Sequence, residues 1–318
     1  MVGIGTGTGI GIANAPCSWG VLEFEGMEGR SAGWAQVLDE IAATGYVGTE
    51  LGDWGFMPTD PAVLRAELER RGLAMVGAFV PVRFADRAGW EEGEAHALRV
   101  ARLLAALDGI AGAVAPPVVV LADVNGTDPV RTRNAGRVTP AMGLDADGWR
   151  TYAAGVDRVA RRVREETGLR GVFHPHAAGW VETPAEIATL LELTDPDAVG
   201  VVFDTGHYTY GTGSDDPVDI GAALDALGPR LGHVHFKDIA PAVAARARAE
   251  GWDYFTAVRH GLFAELGQGA VDFPAVARWL REQRYGGWEV VEQDVLPGMG
   301  SPRESAARNR EYLRAIGA

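Results

Sequence analysis

The feature that most constrains this chain is an alternation. Short, nearly continuous apolar runs of strand character recur eight times, each followed by a stretch of helical character. The runs are Ile10–Cys17, Tyr46–Leu51, Ala74–Val82, Val118–Asp123, Gly171–His174, Gly200–Asp204, Gly232–Phe236 and Gly287–Glu292. The helical stretches are Ala32–Ala43, Pro61–Arg71, Trp90–Leu107, Ala146–Thr167, Pro184–Leu193, Pro217–Leu227, Phe273–Arg284 and Pro302–Ile316. Two of them open on Thr183-Pro184 and Ser301-Pro302, where the hydroxyl caps the first turn and proline takes the first helical position. Strands this uniformly apolar belong in a parallel sheet covered on both faces. Eight βα units are what a closed (β/α)8 barrel requires, so the expected fold is a TIM barrel formed as one domain over residues 10–318. An open doubly wound sheet is the alternative.

Two connections exceed the minimal pattern. Gly126–Leu144 follows the fourth strand, and Ile239–Val271 follows the seventh and carries its own helical piece, Pro241–Glu250, with four aromatics. Long connections inside compact domains are often functional, and these two are read as insertions that roof a site. The opening MVGIGTGTGI imitates a phosphate loop, but a dinucleotide fingerprint needs a strand before it. Residues 1–9 are therefore expected to form a flexible Gly-rich leader.

Charge narrows the class of partner. The chain has 29 Lys and Arg against 43 Asp and Glu, a net charge of −14. Nucleic-acid and anionic-membrane binders work through basic surfaces, so neither partner is expected. A small-molecule substrate is, and assembly into a homo-oligomer is left open. The single cysteine, Cys17, excludes an internal disulfide framework and a thiolate zinc site. No apolar run approaches the ~18 residues of a membrane span and no signal peptide is visible, so a cytoplasmic location is expected.

The histidines carry the chemistry. Of seven, His96 falls within a helix, and His174, His176, His207, His233 and His235 fall at or just beyond strand ends, with His260 in the second insertion. A barrel builds its active site at those ends. Along the seventh strand, period-two alternation puts His233, His235 and Lys237 on one face. Three polar groups on a buried strand must point into the barrel rather than at the apolar helix layer. Lys237 is also the only lysine in the chain. Asp204 ends the sixth strand as a carboxylate in need of a cation, Glu292 and Asp294 share a face at the end of the eighth, and Glu182 follows the fifth-strand tip His174-Pro175-His176. Carboxylates and imidazoles without thiolate suit a divalent ion such as Mn²⁺, Mg²⁺, Co²⁺ or Zn²⁺. A metal-free acid/base site is the alternative.

These residues resemble a family. Phe203-Asp204-Thr205-Gly206-His207, His233-Val234-His235-Phe236-Lys237-Asp238 and Val291-Glu292-Gln293-Asp294 are similar to motifs of the xylose-isomerase-like TIM-barrel superfamily of sugar isomerases and epimerases. Ala15-Pro16-Cys17-Ser18-Trp19-Gly20, Gly48-Thr49-Glu50-Leu51-Gly52, His174-Pro175-His176, Val181-Glu182-Thr183-Pro184 and Gly267-Gln268-Gly269 bring the resemblance nearest to the inosose dehydratase-like branch. The resemblance implies Asp204, His235 and Glu292 as metal ligands, with Mn²⁺ the leading ion, and His207 and Lys237 as substrate contacts. Many relatives place a glutamate ligand at the end of strand five and can use two ligand glutamates as paired bases. Here that position reads His174-Pro175-His176, and Glu182 is the expected fourth ligand, with His174 or His176 as alternatives.

The implied reaction is proton abstraction beside the carbonyl of a keto-sugar or keto-cyclitol, leading to isomerisation, epimerisation or dehydration. Lys237 would stabilise the enediolate, and His174, His176, His207 or Glu292 would take the proton. Trp19, Glu50, Asp123, His233 and Arg259 are candidate substrate contacts, with Asn125 and His260 beside them. Related β-elimination such as C-glycoside cleavage of a 3-keto-sugar, a metal-dependent nuclease, and a non-catalytic carbohydrate-binding or subunit barrel are the rival readings; the acidic charge opposes the nuclease.

Overall fold

A computed structural model describes residues 10–20, 32–110, 112–296 and 299–318. The leader expected at 1–9 lies outside the described residues. The strands are β1 (Gly11–Asn14), β2 (Gly48–Glu50), β3 (Ala74–Pro81), β4 (Val118–Ala122), β5 (Gly171–Phe173), β6 (Val199–Asp204), β7 (Leu231–Phe236), β8 (Asp238–Ile239), β9 (Phe263–Ala264) and β10 (Trp288–Val291). All except β8 and β9 form a closed parallel barrel in the order β1-β10-β7-β6-β5-β4-β3-β2. Pairing of Gly11 through Asn14 with Trp288 through Val291 completes the circuit. The expected (β/α)8 barrel is what the chain forms.

The helices are α1 (Trp34–Ala43), α2 (Pro61–Glu69), α3 (Trp90–Leu107), α4 (Pro129–Asn134), α5 (Ala146–Thr167), α6 (Pro184–Leu193), α7 (Thr205–Gly211), α8 (Ile220–Leu227), α9 (Pro241–Glu250), α10 (Tyr254–Arg259), α11 (Phe273–Glu282) and α12 (Pro302–Ala315). The caps follow the sequence. Thr183 and Glu186 close a reciprocal capping box on α6, and Ser301 Oγ accepts from the Glu304 N–H on α12. The helix read from Pro217 begins at Ile220, because Asp219 caps it instead. Leu, Ile and Val side chains on the outer face of the strands pack under these helices in one continuous core. None of the described helices is long and apolar enough to cross a membrane.

Inside the barrel the filling is graded. Trp288 plugs the end where the strands begin, and Gly11 and Gly48 leave room for it, since a Cβ on either would overlap its ring. Ala13, Val76 and Val290 pack around that indole, and Val120, Val172 and Val202 form a second apolar patch in the interior. Polar side chains replace apolar ones toward the C-terminal ends, where Glu50, His174, Asp204, His233 and His235 are all buried.

The two long connections build a second core above that end. Ala135 from the first, Ala177 and Ala178 after β5, Tyr210 of α7, and Ile239, Tyr254, Val258 and Phe263 from the second pack together. Arg131 of α4 is fully buried. Its guanidinium donates to both Glu186 carboxylate oxygens at 2.7 and 2.8 Å and to the Gly179 carbonyl at 2.8 Å. The β8–β9 ribbon is held by Asp238, whose carboxylate accepts from the N–H groups of Ile239, Gly267, Gly269 and Val271.

Candidate metal centre and active site

The C-terminal ends of the strands surround a cavity of about 180 Å³. At that end one ligand atom from each of His174, Asp204, His235 and Glu292 lies within 4.8 Å of the others, and His174 and Glu292 are in the cavity lining. Each arrives by a different local device. His174 follows β5, with its N–H donating to the Leu121 carbonyl on β4 at 2.7 Å. Asp204 ends β6 and caps α7, so Oδ1 accepts from the His207 N–H at 2.8 Å and Oδ2 is left for the cluster. His235 is the inward residue of β7, and Glu292 follows β10.

His235 Nδ1 stands 3.1 Å from His174 Nε2, 3.3 Å from Glu292 Oε2 and 3.8 Å from Asp204 Oδ2. His174 Nε2 stands 3.6 Å from the same Asp204 oxygen. Asp204 Oδ2 and His174 Nδ1 are buried without a hydrogen-bond partner. Two carboxylates and two imidazoles aimed at one buried point could hold a cation, and the donor set, with no thiolate, fits a divalent ion of hard to intermediate character. Burial works against protonated His235, yet Glu292 and Glu50 together hold it well above its ordinary range. Burial opposes ionised Glu292 too, but His235 and Lys237 hold its carboxyl well below the usual value.

Lys237 sits beside this cluster, buried, with Nζ 3.3 Å from Glu292 Oε2, 3.5 Å from Asp294 Oδ2 and 4.6 Å from the centre of the Phe263 ring. Burial alone would discharge it, but Asp294, Glu292 and Asp204 keep it a cation. His176 and His207 stack with ring centres 3.7 Å apart, and the Ala177 peptide gives them opposite tautomers. His176 Nδ1 lies 2.6 Å from the Ala177 carbonyl, which can only accept, so that nitrogen carries the proton and Nε2 keeps a lone pair. The Ala177 N–H donates to His207 Nδ1 at 3.3 Å, so the His207 proton resides on Nε2. Burial, with His174 and Lys237, pushes His176 down to about 3. Phe79 and Pro81 of β3 and Val124 beyond β4 line the cavity on the apolar side. Cys17 lines it too, its thiol pushed up by burial and by Glu292, which leaves it protonated and no nucleophile.

A family profile described as xylose isomerase-like TIM barrel matches residues 38–316. The chain belongs to this family. Among its relatives, an inosose dehydratase of Geobacillus kaustophilus (strain HTA426) is 34% identical over 302 residues, covering 95% of this chain and 93% of the relative. One of Lacticaseibacillus casei is 30% identical over 287 residues, covering 90% and 91%. Among solved structures, an E. coli 3-keto-D-glucoside 4-epimerase superposes with a TM-score of 0.66 at 18% identity, covering 96% of this chain and all of that one, a likeness of fold. This member of the xylose isomerase-like family is an enzyme of the isomerase, epimerase or dehydratase type.

The structure relocates several residues read from the sequence. Glu182 does not enter the cluster: its carboxylate accepts from the Gly136 and Ala178 N–H groups at 2.7 Å each and ties the first long connection to the turn after β5. Burial raises it to about 7 despite those bonds. His174 stands in the place expected for Glu182, because β5 ends one residue earlier and turns its imidazole inward. Trp19 faces away from the cavity, packs in the outer core and donates its indole N–H to Glu40 at 2.7 Å. Asp123 is occupied by the N–H groups of Val124 and Trp180, and Asn125 lines the cavity instead. His233 lies outside the cavity lining, 2.9 Å from Glu50. Arg259 is exposed on α10, and His260, also exposed, stacks on Trp252. Glu50 does line the cavity, but its Oε1 is engaged by His233 and by His235 at 3.1 Å, and the carboxyl is held at about 2, burial being outweighed by those imidazoles. Tyr254 and Phe263 were not singled out by the sequence; the aromatic content of the second insertion was their only signal.

Proposed function

We propose that the chain is a metal-dependent dehydratase of the inosose type, removing water from a neutral keto-cyclitol, with Mn²⁺ as the favoured ion and the cytoplasm as its site of action. The observation that carries this reading is the convergence of His174, Asp204, His235 and Glu292 within 4.8 Å beside Lys237. These four would hold a divalent ion, which when bound supplies Lewis-acid polarisation of a substrate carbonyl. His176 Nε2, a lone pair at the cavity wall, takes the proton from the carbon next to the carbonyl. The Lys237 ammonium lies where negative charge develops on the substrate oxygen. The β-hydroxyl departs as water with the proton passed on from His176, so that the C–H and C–O bonds broken are replaced by a C=C and an O–H bond, and an unsaturated ketone remains.

Elimination is favoured over epimerisation for a specific reason. The cluster holds one glutamate, Glu292, and an imidazole where a second would stand. Across the barrel Phe79, Pro81 and Val124 form an apolar wall, and the Glu50 carboxylate that also lines the cavity is engaged by His233 and His235. Lys237 is the one cationic side chain lining the cavity among the described residues, and two carboxylates already flank it, which suits an uncharged polyol. The test is turnover of 2-keto-myo-inositol, followed by enone absorbance. Activity should vanish on chelation and return with Mn²⁺. Undiminished turnover in protein shown to be metal-free would overturn the reading, and interconversion of ketoses without loss of water would move it to an epimerase.

A further inference from the structure

Below the four-residue cluster, the barrel interior holds a second polar group that the reaction above does not use. Glu50 projects inward from β2 and reaches β7, three strands away around the barrel. Its Oε1 lies 2.9 Å from His233 Nε2 and 3.1 Å from His235 Nε2. All three side chains are at least nine-tenths buried. The placement is built for. The β2–β3 register slips between Thr49 and Glu50, so that Glu50 pairs with Gly77 rather than with Val76, and such irregularities re-aim side chains. Gly77 gives the carboxylate its space, since a Cβ there would stand 3.2 Å from Glu50 Oε1 and 3.2 Å from the Val118 carbonyl.

A carboxylate can only accept, so both imidazoles donate to it through Nε2. Glu292 Oε2, 3.3 Å from His235 Nδ1, likewise can only accept, so without an ion that nitrogen is protonated too; an ion bound at Nδ1 would displace this proton while Glu50 holds the one on Nε2. His233 gives Glu50 a second donor and so prevents the carboxylate from rotating away.

We infer that Glu50 is the positioning residue of the metal centre: together with His233 it selects the His235 tautomer and ring orientation in which Nδ1 is the ligand atom. This rests on the metal-binding reading of the previous subsection. It replaces the expectation that Glu50 and His233 contact substrate. The same three residues lie close enough to hold an ion themselves. Their direct hydrogen bonds favour the carboxylate–imidazole–metal arrangement, in which the outer partner raises ligand basicity.

The experiment is a Mn²⁺ titration of the full chain, with free ion read by electron paramagnetic resonance. Fold is checked by circular dichroism and thermal unfolding without metal. The wild type should take up one ion per chain and Asp204→Asn should take up none at the same concentrations. Glu50→Gln should remain folded and bind Mn²⁺ about 10- to 100-fold more weakly. Gly77→Ala, which displaces the carboxylate without altering any charge, should weaken binding in the same direction; if that variant does not fold, Glu50→Gln decides alone. Unchanged affinity in folded Glu50→Gln would overturn the positioning role and leave the metal centre standing. Two ions in the wild type and one in Glu50→Gln would also overturn it, by making Glu50 a ligand. No binding by the wild type would remove both the metal centre and this inference.

Discussion

Lys237 shows how much depends on one side chain. Its stem passes Gly206, where a Cβ would stand 2.8 Å from Lys237 Cγ, and its ammonium ends between Glu292, Asp294 and the Phe263 ring. A guanidinium is wider and planar and does not fit that slot. Lys237→Arg should therefore lower kcat by about 10²-fold or more, the scale of a lost transition-state donor, with Mn²⁺ content unchanged by metal analysis. Glu289 offers a contrast. It points out of the barrel, is buried, leaves Oε2 without a partner, and is raised by burial to about 7 even with Arg281 and Arg310 pulling it down. A carboxyl with a raised folded-state value contributes stability that is fully present below its ordinary value near 4.5 and is lost as pH rises through about 7. Glu289→Gln should thus be increasingly more stable than the wild type from pH 5 to pH 8, by ~1–3 kcal/mol at the upper end. Parallel urea titrations at several pH values would show it, and a difference independent of pH would refute the assignment.

At the scale of elements, the roof over the cavity is held by buried polar bonds rather than by packing alone. Arg131 fastens α4 to the start of α6 through Glu186, and Glu182 bonds both the first insertion and the turn after β5. Removing the cation from such a pair leaves a buried, unpaired carboxylate. Arg131→Met should cost about 3 kcal/mol in unfolding free energy, read from the urea midpoint at constant slope. These elements were only partly legible in the sequence. The Pro241–Glu250 helix was, because proline at its first position and a run of alanines mark it out. The short helix Thr205–Gly211 was not, since its sequence, Thr-Gly-His-Tyr-Thr-Tyr-Gly, has no helical propensity of its own. The Asp204 cap and burial against β7 hold it in place.

For the molecule as a whole, the four convergent side chains come from the ends of β5, β6, β7 and β10, so an ion bound among them would couple half of the barrel. A ligand that binds only the folded state stabilises it by mass action, about 2.7 kcal/mol at a hundredfold excess over Kd. Mn²⁺ should raise Tm in a concentration-dependent way, and Asp204→Asn should lose that dependence. The net charge of −14 surrounds a cavity whose one cation among the described residues is already paired, which sets a neutral sugar-like ligand apart from a nucleic acid.

The sequence by itself determined the barrel, because eight apolar runs alternating with capped helical stretches leave few other ways to bury both faces of a sheet. It also determined that imidazoles and carboxylates gather at one rim, because period-two alternation and strand ends are local properties. Only the tertiary structure decided which of them meet. Glu182 was the expected fourth ligand, with His174 or His176 as alternatives, and its carboxylate is instead taken up by the backbone N–H groups of Gly136 and Ala178 while His174 stands in the cluster. Glu50 and His235 are 185 residues apart. A slipped register and an absent Cβ at Gly77, neither of which any local pattern announces, bring them into contact.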